Sequence, residues 1–320
     1  MKISKDIHEA AFWLSQSKVV AIPTETVYGL AANIYDEEAV NSIYKIKNRP
    51  SNNPLIVHIK SANELYKYVE FIPLKAELLA TAFWPGPLTL VLKKAAHIPD
   101  YITSNKDTVG IRVPAHPVTL KLLEELPFPL AAPSANPSNC VSSTTAKHVI
   151  NYFGNKVPLI LEGGSCEKGL ESTIVGFEKG EAIIYRLGAL SVEQIEKVIG
   201  QVHVKNNASQ NPNAPGMFSK HYAPKTPLYI VSNLEIFLSE TNSTNIAFLG
   251  FDQKYIHSKI KANYLLSKSS KFDEAAKELY KTLIEIDSKP FDLIVSQYLP
   301  EKDLGKSIND RLSRAAFKII

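Results

Sequence analysis

The sequence predicts an α/β fold: a large, mostly buried sheet over the first two thirds, then a small doubly wound α/β unit. Three observations lead to it. Short apolar runs such as KVVAIP (18–23), PLIVHI (54–59) and PLTLVLKK (87–94) alternate with stretches of helical spacing, the pattern of a sheet covered by helices. From about residue 201 the texture changes to QVHVKNNASQNPNAPGMFSKHYAPKTP, rich in Asn, Pro and Ser and too long for an ordinary internal loop. Strand and helix signals then resume. The 320 residues suffice for two domains, read as 1–204 and 227–320 with a linker at 205–226.

Residues 4–17 read as a helix capped by Ser4, with Ile7, Ala10, Ala11 and Leu14 on one face. KVVAIP is a buried strand closed by Pro23, and PTETVYGL (23–30) is expected to join it to a helix. Helical spacing returns at 36–47 through Val40, Ile43 and Tyr44; after the strand 54–59, Ser61 is expected to cap a helix over 61–69. Runs 87–94, 108–114, 128–134, 159–164, 172–177 and 182–188 read as strands, and 117–126, 144–153 and 191–199 as helices. Beyond the linker, 228–232, 245–251 and 291–297 read as strands, and 272–287 and 305–317 as helices. No GxGxxG or GxxxxGK[ST] motif marks a nucleotide site on this second unit.

Composition narrows the function classes. Hydrophobic residues at 45% and charged residues at 21% suit a soluble globular chain, and no apolar run approaches the roughly 20 residues that span a bilayer. The first residues lack the unbroken apolar core of an export signal. Cys140 and Cys166, the two cysteines, form no CxxC pair, which argues against a disulfide framework or a structural zinc and fits a reducing cytoplasm. A net charge of +4 permits anionic substrates or weak, indirect RNA contact without demanding either.

Several motifs carry chemistry-bearing residues. In PTETVYGL, Thr24, Thr26 and Tyr28 offer hydroxyls at a strand end; a self-capped turn explains them equally well. KIKNRPSNNPLIVHI (45–59) crowds Lys45, Lys47 and Arg49 together. Pro50 pushes Arg49 toward extended geometry, so Lys47 and Arg49 can aim at a polyphosphate while Lys45 remains a helix-end charge; a solvated loop is the other reading. His58, by itself, reads as a hydrogen-bonded core histidine. Arg112 lies among apolar strand neighbours with no acid nearby in sequence, which favours a substrate carboxylate as its match. FPLAAPSANPSNCVSSTT presents Ser134, Asn136, Ser138, Ser142 and Ser143 before a helix expected to be capped by Ser143 or Thr144, either a phosphate cradle or an ordinary capped loop. Arg186 ends another strand. Together these signals suggest one polar, phosphate-binding cleft.

PTETVYGL, KIKNRP..NPLIVHI, WPGPLTLVL, TVGIRVPAHP, APSANPS, GLESTIVGF and YRLGAL resemble, in this order, the YrdC/Sua family of threonylcarbamoyl-AMP synthases. PGM..KHYAPKTPLY and LGKSINDRLSRAA resemble its longer, two-domain branch. The resemblance implies a twisted, mixed-sheet N-terminal domain with a concave site and a small Rossmann-like C-terminal domain. It implies synthesis of threonylcarbamoyl-adenylate from L-threonine, bicarbonate and ATP, with Mg²⁺ carried by the phosphates rather than by protein ligands. The product would serve threonylcarbamoylation of ANN-decoding tRNAs, with a downstream transferase as a conceivable partner. By motif, Thr26, His58, Arg112, Ala132 and Ser172 resemble the threonine site. Arg49, Asn53, Thr108, Ser134, Asn136, Ser142, Arg186 and the linker's Tyr222 resemble the ATP site, with Lys47 and Arg49 in the catalytic role. Asn139-Cys140 departs from the family's glycine-polar pair, and Asn139 is expected to keep the left-handed turn. Phe218-Ser219 stands where the family has Lys-Tyr. An RNA-binding module and a carbamoyl-handling domain of hydrogenase maturation are the rival readings. The mild charge without aromatic–basic interleaving counts against the first, and the lack of zinc-finger and acylphosphatase-like segments against the second.

Overall fold

A computed structural model describes residues 2–205 and 221–320; most of the expected linker, including Phe218 and Ser219, lies outside them. The first part runs β1 (Lys2–Ser4), α1 (Ile7–Ser15), β2 (Val20–Ile22), β3 (Gly29–Asn33), α2 (Glu37–Lys47), β4 (Ile56–His58), α3 (Leu65–Tyr68) and α4 (Leu74–Phe83). It continues through β5 (Leu88–Lys93), α5 (Asp100–Thr103), β6 (Thr108–Arg112), α6 (Pro117–Glu125), β7 (Leu130–Ala131), α7 (Ala146–Phe153) and β8 (Leu159–Leu161). It closes with β9 (Thr173–Glu178), β10 (Glu181–Arg186), α8 (Val192–Ile199) and β11 (His203–Val204). Among the described residues these eleven strands form one mixed sheet, ordered β1-β8-β2-β3-β7-β4-β6-β5-β9-β10-β11.

The second part comprises β12 (Leu228–Ile230), α9 (Leu234–Glu240), β13 (Ile246–Gly250), β14 (Ile260–Leu265), α10 (Phe272–Asp287), β15 (Leu293–Ser296), α11 (Gly305–Ala315) and β16 (Lys318–Ile319). Its strands are all parallel, ordered β14-β13-β15-β12-β16. Parallel neighbours need crossovers, and α9, α10 and α11 supply helical ones.

Several expectations change on folding. PTETVYGL does not lead into a helix: it turns back as a hairpin, pairing Ile22 with Gly29 and Val20 with Ala31. Leu30-Ala31-Ala32 would suit a helix, but burial between sheet neighbours outweighs that preference. Asp6, not Ser4, caps α1, accepting from the amides of His8 and Glu9, while Ser4 pairs with Leu161 in the sheet. The expected strand at 128–134 shrinks to β7 because Pro129 and Pro133 cannot donate ladder hydrogen bonds. Ser61 makes no side-chain cap, and its segment is a 3₁₀ turn running into the single turn of α3. Thr145, one residue beyond the expected positions, caps α7 through the amide of His148. No sequence signal marks β1, α4, α5, β11, α9, β14 or β16, and β3 stands where a helix is expected.

The main core packs Leu30, Val57, Leu90, Ile111 and Ile184 with Ile43, Leu79 and Ile195 from the covering helices. The core of the second part, built on Leu279, Leu283, Ile294 and Ile308, is continuous with Val27, Val141, Leu170 and Ala189 of the first. The small unit therefore docks on the loops at one end of the large sheet. The chain leaving β10 presses against the 171–173 backbone: a Cβ on Gly188 would lie 2.5 Å from the carbonyl oxygen of Glu171 and from the amide nitrogen of Thr173. Gly188→Ala is expected to lower both the thermal midpoint and catalytic activity, because backbone on both sides must shift; melting curves and turnover of the purified variant check this.

Candidate active site

The cleft lies where β4, β6, β9 and β10 meet their connecting loops. Thr26, Arg49, His58, Arg112, Ala132, Ser134, Ser172, Arg186 and Tyr222 line it, together with Val27, Glu171 and His221. Parallel pairing of β4 with β6 sets His58 beside Arg112, and pairing of β5 with β9 brings Thr173, and so Ser172, to the same end of the sheet.

The hairpin turn is closed by its own hydroxyls. Thr24 donates to the Val27 carbonyl at 2.6 Å and accepts from the amides of Thr26 and Val27, with the Thr26 hydroxyl 2.8 Å away. That holds Thr26 against the cleft and aims Glu25 at Arg112. Glu25 Oε1 accepts from Arg112 Nη2 at 2.5 Å, and Oε2 accepts from the Ala115 amide at 3.0 Å. Arg112 therefore has a protein counter-charge, 87 positions earlier, contrary to the expectation that substrate alone would match it. Its Nε also donates to the Gly86 carbonyl. A guanidinium carries five N–H donors, so these bonds leave capacity for a carboxylate.

His58 is 2% exposed, and its Nδ1 lies 3.3 Å from the Ile56 carbonyl. A carbonyl can only accept, so the proton resides on Nδ1 and Nε2 is an acceptor. Burial, reinforced by the charge of Arg112, lowers its pKa to about 3, so the ring is neutral. Ser172 shares a 2.7 Å hydroxyl contact with Thr89, and Arg186 donates to the Ser172 carbonyl at 2.8 Å and to its hydroxyl at 3.0 Å.

The cations of the KIKNRP stretch take different positions. Lys45 is exposed near the end of α2, as expected. Lys47 is 2% exposed and off the cleft wall; its ammonium donates to the carbonyls of Ser134 and Asn136. Burial, with Arg49 nearby, holds its pKa well below the ordinary lysine value. Asn48 ends α2 in left-handed geometry, turning Arg49 onto the wall, where it donates to the carbonyls of Asn53 and Pro54. Burial lowers Arg49 to about 10.

The remaining sequence candidates support the wall from behind or stand apart. Asn53 and Asn136 are buried, each with an Oδ1 that has no partner among the described residues. Ser142 donates to Glu171 at 2.6 Å. Thr108 begins β6 and is off the wall, about 13 Å of strand rise before Arg112. Asn139 adopts φ 70°, the left-handed turn anticipated from its side chain.

Two further residues stand on the wall: Glu171, which no motif assigns a role, and His221, which the linker motif offers as an anion contact beside Tyr222. Burial opposes ionisation of Glu171, but Arg311, Arg186 and the Ser142 hydroxyl outweigh it and hold the carboxyl down to about 2. Burial pushes His221 down to about 3, and its Nδ1 is enclosed without a partner among the described residues. An acid between Leu170 and a buried strand was the one available signal for Glu171. Its partners, Tyr280 and Arg311, are more than a hundred positions away.

Comparison with known proteins agrees with this geometry. The Sua5/YciO/YrdC family model, described as "Telomere recombination", matches residues 13–188; that of "Threonylcarbamoyl-AMP synthase, C-terminal domain" matches 190–317. The threonylcarbamoyl-AMP synthase of Pyrococcus abyssi is 39% identical, over 98% of this chain and 95% of its own. That of Bacillus subtilis is 38% identical, over 97% and 92%. The crystal structure of P. abyssi Sua5 complexed with L-threonine superposes with a TM-score of 0.90 at 37% identity, covering 98% of this chain and 95% of that one. Full-length HypF matches only 57% of this chain and 29% of its own length, at 25% identity and a TM-score of 0.52.

The buried histidine links stability to pH. Its ordinary pKa of 6.5 falls to about 3 on folding, so its contribution is complete above pH 6.5 and is lost as pH falls toward 3. The melting temperature is expected to drop between pH 7 and pH 4, and to drop less in His58→Gln; thermal melts across that range check it, and equal slopes would contradict it.

Proposed function

The chain belongs to the threonylcarbamoyl-AMP synthase family, and from that premise we propose how its cleft carries out the reaction. The reaction joins L-threonine, bicarbonate and ATP into threonylcarbamoyl-AMP and releases pyrophosphate. The observation that carries the reading is the gathering of Thr26, His58, Arg112, Ser172, Arg49, Ser134 and Arg186 on one wall.

The threonine amine attacks the bicarbonate carbon, and loss of water leaves a carbamate. A carbamate oxygen then attacks the α-phosphorus while the bond to the pyrophosphate oxygen breaks. Two anions must meet, so positioning and charge neutralisation dominate the barrier. Arg112, held in plane by Glu25 and Gly86, binds the threonine carboxylate with its remaining N–H groups. The bare Nε2 of His58 and the hydroxyls of Thr26 and Ser172 receive the substrate hydroxyl, and a site built for that bond rejects analogues lacking it. Arg49 and Arg186 face the carbamate and α-phosphate. Lys47, behind the wall, fixes the 134–136 loop through the Ser134 and Asn136 carbonyls, and so sets Ser134 toward the phosphates.

Mg²⁺ would ride on the phosphates, adding positive charge there. The carboxylate on the wall, Glu171, is already engaged by Ser142, Tyr280 and Arg311. Tyr222, on the wall, would cover the nucleotide and help keep water from the hydrolysable adenylate. In the cytoplasm the product would pass to a transferase that modifies the adenosine beside the anticodon of ANN-decoding tRNAs, with RNA contact by this chain weak or indirect.

Pyrophosphate release, assayed with each component omitted in turn, is expected to require ATP, L-threonine and bicarbonate together. Release that persists without L-threonine or bicarbonate would refute the reading. Arg49→Ala is expected to lower kcat/KM by on the order of a hundredfold, the scale of losing one oriented charge on a developing anion.

A further inference from the structure

We propose that Arg311, on the C-terminal unit, is a positioning residue for adenylate formation: it sets the Glu171 carboxylate and the Tyr222 ring on the cleft wall. The proposal rests on the function proposed above and concerns what the second unit contributes to it.

Arg311 is 1% exposed on α11, at the seam between the two units. Its Nε donates to Glu171 Oε2 at 3.0 Å, beside the Tyr280 hydroxyl at 3.1 Å; that hydroxyl itself donates to Oε2 at 2.9 Å. Its Nη2 donates to the Leu187 carbonyl at 2.7 Å, and Nη1 to Asp310 at 2.5 Å. Its Cζ lies 4.8 Å from the centre of the Tyr222 ring. One planar group thus grips the carboxylate before Ser172, the carbonyl after Arg186, and the aromatic ring that lines the cleft. The first two flank residues that the reading places on substrate.

Tyr222 supplies an independent reason. Its φ is 65°, left-handed geometry that a bulky side chain adopts only when its surroundings impose it. The first unit holds the chain beside it, with the Asn139 carbonyl accepting from the Ala223 amide at 2.8 Å. The ring itself meets the second unit, with Arg311 against it and Tyr280 stacked at 5.6 Å, while the Arg314 carbonyl accepts from the His221 amide at 3.1 Å. Gly188 has no room for a Cβ against the Glu171–Thr173 backbone, so displacement of Glu171 would carry Ser172 with it.

The test measures steady-state pyrophosphate release and thermal melts for Arg311→Met, Arg311→Lys, Tyr280→Phe and the double variant Glu171→Gln/Arg311→Met, beside Glu171→Gln alone. Wild type, with each substrate omitted, serves as the control. A wild type whose release ignores L-threonine sinks the function, whereas the variants judge Arg311 against that control. Arg311→Met is expected to lower kcat/KM for ATP by about a hundredfold, raising KM for ATP more than KM for L-threonine. Arg311→Lys keeps the charge without the fork, and should recover thermal stability more fully than kcat/KM. The double variant should lose less than the product of the two single losses, because removing Glu171's charge relieves the unpaired carboxylate. Wild-type kinetics in folded Arg311→Met or Arg311→Lys would overturn the proposal. So would a lowered melting temperature with unchanged KM and kcat, in these or in Tyr280→Phe if the methionine variant does not fold.

Discussion

The constraint on which the rest of the structure depends is the cost of holding several cations out of water around one cleft. Lys47, Arg112, Arg186 and Arg311 are all buried, and Arg49 is half-buried beside them. A buried charge is tolerable only when fixed acceptors replace its water. Three carboxylates provide part of that, Glu25 for Arg112 and Glu171 with Asp310 for Arg311. Among the described residues neither Lys47 nor Arg49 has a carboxylate within ion-pairing distance; backbone carbonyls hold both. Carbonyls orient a cation without cancelling its charge. The cleft therefore retains positive potential in fixed positions, the preorganised field that an anion attacking a phosphate needs.

The same constraint shapes the architecture. A mixed sheet brings strand ends and hairpin turns to one edge, so carbonyls from the 53–54, 86, 134–136 and 172 segments are close enough to serve the cations. The second unit closes that edge. Its core runs on into Val27, Val141, Leu170 and Ala189, and its α11 delivers a guanidinium to a carboxylate of the first unit. The two units share one apolar core and one ion-pair network, which makes the cleft a joint product of both.

Much of this was legible in the sequence because it is local. Pro50 turns Arg49 away from the α2 direction, leaving Lys45 in solvent, and the apolar runs PLIVHI and TVGIRVP place His58 and Arg112 on strands that prove to be paired neighbours. What was not legible depends on distance along the chain. No window around Arg112 contains Glu25, and none around Glu171 contains Arg311. The hairpin at PTETVYGL reads in sequence as a strand-to-helix turn because Leu-Ala-Ala has helix-compatible composition and becomes a strand only through its neighbours β2 and β7. Thr108 shares a strand with Arg112, yet β6 carries it to the far end, a separation that motif order does not reveal.

The central claim is that this field joins two anions, a threonine carbamate and the α-phosphate of ATP. Mass spectrometry of the product formed from ATP, L-threonine and ¹³C-bicarbonate tests it most directly. The expected product is an adenylate that carries both threonine and the labelled carbon, formed along with pyrophosphate. Formation of ADP or AMP alone, or of an adenylate without the label, would contradict it.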